Sequence, residues 1–188
     1  GVEEGFLRYV ESLYEQRQAR VITGYGLTDP YRVERGISQG DPLSCLLFLA
    51  VMESILRGVR KVGGGYRMKS GRRVSVLAFA DDVMLVGSSR AEVQRMVEAV
   101  WRGVEQAGMT LSWAKCDYIC GGPPSVRRVD LDLGAGRTIR CQPKGGAIRY
   151  LGIWIDESLR MKVHGEMVIK KMCGKLHRLM EKRVPTRV

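Results

Sequence analysis

Two adjacent aspartates, Asp81 and Asp82, stand between two apolar runs, residues 74–79 and 83–87. The runs read as the strands of a tight hairpin joined at Ala80-Asp81-Asp82. Like charges side by side repel, and Gly, Asn or Ser would serve a plain turn at lower cost. A divalent cation removes the repulsion, because hard cations such as Mg2+ take carboxylate oxygens. The chemistry such a pair suits is phosphoryl transfer, in which two ions hold the attacking and leaving oxygens in line. A solvated turn is the plain alternative, and the pair by itself does not decide.

The elements that must position this pair follow from periodicity. Residues 2–16 read as a helix with Phe6, Val10, Leu13 and Tyr14 on one side. Two short strands are expected at 19–23 and 31–34, with Thr28-Asp29-Pro30 as the turn between them. A loop, Gly36-Ile37-Ser38-Gln39-Gly40, leads to Asp41-Pro42, where an N-cap aspartate followed by proline opens a helix. That helix carries Leu43, Leu46, Leu47, Ala50, Val51, Ile55 and Val59, and its first charge after the cap is Glu53. Its first three turns are therefore expected to be buried nearly all round. Gly63-Gly64-Gly65 ends it.

After the hairpin, Ser89 and Glu92 have capping-box spacing. The following helix has a stripe of Val93, Met96, Val97, Val100, Trp101 and Val104, and stops at Gly108. Strands are expected at 110–112, around 115–120 and at 148–155, with Gly121-Gly122-Pro123-Pro124 as a loop. A basic helix over roughly 159–182 should turn Val168, Met172, Leu176 and Leu179 inward. Strands and helices mixed around an antiparallel hairpin give an α+β layer fold.

The 188 residues suffice for one domain, or one domain and part of the next, and 45% of them are hydrophobic, enough for a sizeable core. Net charge is +11, of which residues 160–188 supply +7 through nine Lys/Arg against Glu166 and Glu181. Such an excess suits a polyanion, nucleic acid before anionic lipid, with a solvated helix face as the competing reading. No run approaches the roughly 18 consecutive apolar residues of a membrane helix, so no membrane partner is expected. The opening GVEEGFLRYV lacks the regions of a signal peptide and reads as a start within a longer protein. Five scattered cysteines do not make a disulfide framework and are expected to be reduced and intracellular. Cys116 and Cys120, four apart in an expected strand, should face one way and pack. With no CxxC pair, a zinc site with His164 or His177 ranks behind packing.

Four stretches in order, RGISQGDPLSCLLF (35–48), LAFADD (77–82), GMTLSWAKCDYI (108–119) and RYLGIWI (149–155), closely resemble the reverse transcriptase of non-LTR (LINE-type) retrotransposons over about residues 1–160. In that family they are the Gln-Gly loop and helix of motif B, the metal hairpin of motif C, the lysine strand of motif D and the primer grip of motif E. The resemblance implies a polymerase palm, an antiparallel sheet backed by helices, over 1–157, and the beginning of a helical thumb over 158–188. It implies RNA-directed DNA synthesis with two Mg2+ (or Mn2+) ions. Asp81 would be the principal metal ligand, with Asp82 a second ligand or its support, and Phe79 would pack beneath the turn. Gly36, Gln39 and Gly40 would lie against template and incoming nucleotide, where a missing Cβ lets backbone come close. Lys115 would approach the triphosphate and could protonate the departing pyrophosphate. Tyr150, Leu151 and Gly152 would hold the primer end. Lys170, Lys171, Lys175 and Arg178 would meet the phosphates of an RNA–DNA duplex.

The implied partners are an RNA template, a DNA primer, deoxynucleoside triphosphates and the remainder of a parent polypeptide. The family's first catalytic aspartate lies in motif A, some tens of residues before motif B. The first 35 residues hold only Asp29, in a Thr-Asp-Pro turn, so motif A and the fingers are expected elsewhere in the parent, and this piece alone is expected to be inactive. Group II intron proteins and telomerase stay open as relatives, although Asp-Pro-Leu-Ser after Gln39-Gly40 and Phe79 before Ala80 favour the non-LTR type. A viral RNA polymerase would more often show Gly-Asp-Asp. A degenerate palm that only binds RNA is the alternative from another functional class. The nucleus is the expected compartment by analogy with elements that copy themselves into chromosomes.

Overall fold

A computed structural model describes residues 2–122 and 128–181, with the side chains of 179–181 outside the description. It forms two compact units, Gly1–Val51 and Met52–Val188. The fold is α+β, as the mixed order of elements predicts. Its strands form two-stranded antiparallel ladders among the described residues, in place of one extended sheet.

In the first unit, α1 spans Glu4–Tyr14 and leaves Phe6 and Leu13 of its apolar side exposed. Four two-residue strands follow: β1 (Gln18–Ala19), β2 (Ile22–Thr23), β3 (Gly26–Leu27) and β4 (Tyr31–Arg32). They nest, β1 pairing with β4 and β2 with β3. The reversal therefore lies at Gly24-Tyr25, and not at Thr28-Asp29-Pro30 as the sequence suggested. Gly26, in a left-handed conformation with φ +117°, permits the earlier turn. Thr23 reinforces it by donating its hydroxyl to the Gly26 carbonyl at 2.8 Å.

Helix α2 (Pro42–Val62) starts where the Asp-Pro signal places it: Asp41 Oδ1 accepts from the Leu43 N–H at 3.0 Å. Its burial differs from expectation. The buried apolar residues are Met52, Ile55, Leu56 and Val59, whereas Leu46, Leu49 and Val51 are exposed. An all-apolar surface tells how much a helix can bury; the elements laid against it decide how much it does. By length and composition α2 is also apolar enough to cross a membrane, with a mean hydropathy of 1.6. It carries Glu53, which ion-pairs with Arg57 and Arg60, and its C-terminal stripe of Met52, Ile55, Leu56 and Val59 is buried against protein.

The second unit continues through Gly63, Gly64 and Gly65, all at positive φ, into β5 (Tyr66–Arg67), β6 (Arg73–Val74), β7 (Val76–Phe79) and β8 (Asp82–Leu85). Helix α3 (Arg90–Gln106) is capped by the Ser89 side chain, which accepts from the Glu92 N–H. Glu92 does not complete the reciprocal bond of a capping box. Its carboxylate accepts instead from Ser88 N–H at 2.9 Å and Gly65 N–H at 3.3 Å. These two backbone donors, first of all, hold its pKa below the usual carboxylate value. Met96, Val97, Val100 and Val104 are buried, and Met96 is wholly so, worth about 1.5–3 kcal/mol in burial. Gly103 lets α3 approach α2 closely: a Cβ there would sit 3.1 Å from Ile55.

A hairpin that periodicity did not reveal, β9 (Leu131–Asp132) with β10 (Thr138–Ile139), completes this core. Val97, Leu131 and Ile139 form its buried centre, with Leu85, Val93, Trp113, Cys116, Tyr118 and Leu133 packed around them. Arg137 lies over Trp101 at 4.3 Å and Trp113 at 5.9 Å, clamping the hairpin to α3. The expected strand around 115–120 is absent; Trp113–Lys115 is a 3-10 turn, and only Tyr118 bridges, to Cys141. Packing of Trp113 and Cys116 into the core bends the chain there, overriding β propensity. Among the described residues no cluster of His, Cys, Asp and Glu could hold zinc.

The chain closes with β11 (Ala147–Tyr150), β12 (Ile153–Asp156) and α4 (Met161–Glu181). Asp156 is buried, and the Ser158 hydroxyl at 2.7 Å, with the Ser158 N–H at 3.0 Å, holds its carboxylate below the usual range. His164 Nδ1 accepts from Trp154 N–H at 3.3 Å and ties the first turns of α4 to β12. Beyond that anchorage Val168, Met172 and Leu176 are exposed, contrary to the expected inward stripe, because no described element lies against them. Leu179 has its side chain outside the described residues, as do residues 182–188 of the basic segment and 123–124 of the Gly-Pro loop.

Candidate functional site

The β7–β8 ladder pairs Val76 with Leu85, Leu77 with Met84, Ala78 with Val83 and Phe79 with Asp82. Residues opposite one another share a face. The face with Leu85 packs into the core, so the other face, bearing Leu77, Phe79, Asp82 and Met84, points away from it. Only Ala80 and Asp81 remain to make the turn, one residue fewer than the sequence reading gave it. Ala80 adopts φ +51°, the left-handed region where a Cβ is strained. Such strain persists where surrounding structure fixes it, and is concentrated at functional sites.

Phe79 does not pack beneath the turn: it is 67% exposed, on the same face as Asp82. The pairing register explains this, since Phe79 shares its face with Leu77 and lies opposite to the face of Val76 and Leu85 that packs into the core. Asp81 and Asp82 are both exposed. Their carboxylates come from consecutive residues, one in the turn and one on the first strand position, which suits shared ligation of hard cations. Among the described residues no third metal-ligating side chain joins them. The pair fits part of a two-ion site.

The second tight hairpin, β11–β12, turns at Leu151-Gly152, with φ +48° and +85°. Two left-handed residues are the pattern of a type I′ turn. Leu151 is exposed at its tip. Tyr150, just before the turn, has its phenol pKa raised, chiefly by burial and then by the negative charge of Asp82. Lys115 closes the 3-10 turn and is exposed to solvent.

Gly36, Gln39 and Gly40 lie in the first unit, all exposed, with φ +87° at Gly36 and +90° at Gly40. Both glycines thus occupy conformations that a side chain would strain. Arg17 holds this loop by donating to the Ser38 hydroxyl at 3.0 Å and to the Gly36 carbonyl, while stacking on Tyr14 at 4.4 Å. Sequence reasoning missed Arg17, since one arginine between a helix and a strand gives no local signal. On α4, Lys170, Lys171, Lys175 and Arg178 are all exposed. They lie beyond the turns that β12 anchors.

The pattern of the family described as reverse transcriptase (RNA-dependent DNA polymerase) matches residues 4–155. The chain is 28% identical over 159 residues, 81% of its length, to the retrovirus-related Pol polyprotein from type-1 retrotransposable element R2 of Popillia japonica, of which it covers 26%. It is 30% identical over 152 residues to the transposon TX1 uncharacterized 149 kDa protein of Xenopus laevis, covering 80% of this chain and 11% of that protein. The retrovirus-related Pol polyprotein from type-2 retrotransposable element R2DM of Drosophila melanogaster is 31% identical over 117 residues, 62% of this chain and 11% of that protein. The chain therefore spans about a quarter, or less, of the length of these relatives.

Proposed function

The chain belongs to the reverse transcriptase (RNA-dependent DNA polymerase) family, of the non-LTR retrotransposon type, and from that premise we propose that it is the carboxylate-bearing palm segment and thumb start of a retrotransposon's RNA-directed DNA polymerase. The observation that carries the proposal is the strained two-residue turn that presents Asp81 and Asp82 side by side and exposed. We assign the palm to 1–157 and the thumb start to 158–188.

Asp81 and Asp82 supply carboxylate oxygens at the reacting end of the primer. The chemistry that Mg2+ or Mn2+ supplies when bound there is in-line stabilisation of the attacking and leaving oxygens. Lys115, mobile enough as an exposed side chain to reach a triphosphate, donates a proton to the departing pyrophosphate. Tyr150 and Leu151 hold the primer terminus, with Gly152 admitting backbone close to it. Gly36, Gln39 and Gly40 present backbone and one amide to the template and the incoming deoxynucleotide. Exposed cations on α4 take the phosphates of an RNA–DNA duplex, an interaction that weakens with salt. The carboxylates needed to complete two-ion binding come from another segment of the parent, so the 188-residue chain alone binds metal weakly and does not extend primers. The parent acts in the nucleus.

Primer extension on a primed RNA template tests the reading. In the parent protein, Asp81→Asn should remove activity by several orders of magnitude while leaving the fold intact. Near wild-type extension by that variant would overturn the assignment. Binding of primed template by the unaltered parent without any extension would favour a palm that only binds RNA.

A further inference from the structure

Residues 54–80 contain seven Lys/Arg and no Asp/Glu, as large an excess as that of residues 160–188. Arg57 and Arg60 are paired with Glu53. Arg67, Lys69, Arg72 and Arg73 are all on the β5–β6 hairpin, all exposed, and among the described residues none of them makes an ion pair. Arg73 acts at a distance on Glu92, whose carboxylate is already engaged by Gly65 and Ser88 N–H at the hairpin's base.

The register makes the charge costly. Arg67 pairs directly with Arg73 across the ladder, and like charges directly opposite destabilise a two-stranded ribbon. Met68 N–H donates to the Arg72 carbonyl at 2.8 Å, so Arg72 shares the opposite face with Tyr66 and Met68. Tyr66 is 56% and Met68 45% exposed, apolar surface that a purely solvated hairpin has no use for. One face thus presents two guanidinium groups, and the other an aromatic ring beside a third. Backbone bonds fix this shape: Gly71 N–H donates to the Met68 carbonyl at 2.9 Å, and Ser88 Oγ donates to the Gly65 carbonyl at 3.0 Å. The Val86 N–H to Ser75 carbonyl bond of 2.8 Å carries the β7–β8 ladder back to β6. The basic hairpin and the Asp81 turn therefore lie at opposite ends of one strand run.

We propose that the β5–β6 hairpin is a second nucleic-acid contact, separate from α4, around which a single strand runs: its phosphates meet Arg67 and Arg73 on one face, Lys69 at the turn and Arg72 on the other face, where an unpaired base stacks on Tyr66. The proposal rests on the polymerase reading and adds to it a surface remote from the carboxylate pair. Cations with an exposed aromatic ring are the recognition pattern of single strands: phosphates neutralise the mutual repulsion of the arginines, and any base can stack on the ring.

The test uses the 188-residue chain with labelled single-stranded RNA, single-stranded DNA and an RNA–DNA duplex, each titrated over a range of salt. Replacing all four hairpin cations by Gln should lower the single-strand log–log salt slope by about 2 to 3, at roughly 0.7 per lost contact. Tyr66→Ala should weaken single-strand binding about tenfold or more with the slope unchanged. Arg67→Lys with Arg73→Lys should keep the slope, which separates charge from misfolding. In the free chain Arg73→Gln should raise the melting temperature, because it removes the cross-strand repulsion. An unchanged slope in the Gln variant overturns the proposal. If an α4 variant (Lys170, Lys171, Lys175 and Arg178 to Ala) still loses slope on the duplex, the polymerase reading survives that failure. If the unaltered chain binds none of the three nucleic acids, both fall. Loss of binding to phosphatidylserine vesicles, with oligonucleotide binding intact, would overturn the proposal in favour of a lipid surface. A stronger preference for RNA or for DNA single strands identifies which strand the hairpin holds.

Discussion

The two tight hairpins of the second unit have the same build and different tips. Each has four residue pairs and a two-residue turn, and each places a residue with a Cβ in the left-handed region, Ala80 in one and Leu151 in the other. At β11–β12 the second turn residue is Gly152, and the resulting type I′ geometry matches the natural twist of the strands. At β7–β8 the second residue is Asp81, which stays out of the left-handed region. Neither turn uses the Asn-Gly pair that would form it with least strain. In both, the identity of the exposed side chain outranks the ease of the turn, as expected where a tip contacts substrate. On the function proposed above, the acidic tip takes cations and the apolar tip takes a primer end.

The sharpest way to separate the two tips is to disable each in the parent. Asp81→Asn should cut the rate at saturating substrate by several orders of magnitude and leave primer affinity nearly unchanged. Leu151→Ala should do the reverse, weakening primer binding about tenfold with the saturated rate retained. Steady-state kinetics with varied primer–template measure both. Equal effects on rate and affinity from the two variants would abolish the distinction.

The hairpins also stand on different supports. Met96 lies where β8 ends, close enough that a Cβ on Gly87 would be 3.2 Å from its methyl group, whereas β12 is held by α4 through His164. Met96→Ala should cost about 2–5 kcal/mol in denaturant unfolding, since it empties a site with no exposure. A loss below about 1 kcal/mol would mean that this floor is less packed than its burial implies.

Smaller effects come from the turns themselves. Ala80→Gly and Leu151→Gly should each stabilise the folded chain by about 1 kcal/mol, because glycine adopts the left-handed conformation without strain. Thermal melts compare them, and a destabilised glycine variant would show that the side chain contributes packing at that tip. The smallest expected effect joins the hairpins. Asp82→Asn should lower the Tyr150 phenol pKa toward 10, leaving only the part due to burial, as read by ultraviolet titration. The sign for stability follows: a phenol with a raised folded pKa favours the folded state below pH about 10, and that contribution is lost as pH rises through the folded value. An unmoved Tyr150 titration would place Asp82 and Tyr150 out of each other's field.

Much of the scaffold was legible in the chain. Asp41-Pro42, Ser89 and the glycines after α2 and α3 set helix ends through bonds to near neighbours, and the apolar runs around Asp81 set the carboxylate hairpin. These signals are local, so they survive without knowledge of the rest. Elements that depended on distant partners were misplaced. Trp113 and Cys116 turn toward the Leu131–Ile139 hairpin, which makes a 3-10 turn of the expected lysine strand. The nested β1–β4 ladder hinges on which of two possible turns closes. The basic β5–β6 hairpin went unseen because its cations are spread over two strands, and only the pairing of Arg67 with Arg73 brings them face to face.

The sequence by itself determined the α+β class, the ends of the helices, the carboxylate turn and, through four ordered motifs, the family. Tertiary structure alone decided exposure. Phe79 faces outward because the register with Asp82 puts it there, and Leu46 and Leu49 are bare because the buried stripe of α2 lies further along the helix. Capping and turn formation are governed by groups a few residues apart, which the chain order fixes. Which face is covered depends on segments distant in sequence meeting in space.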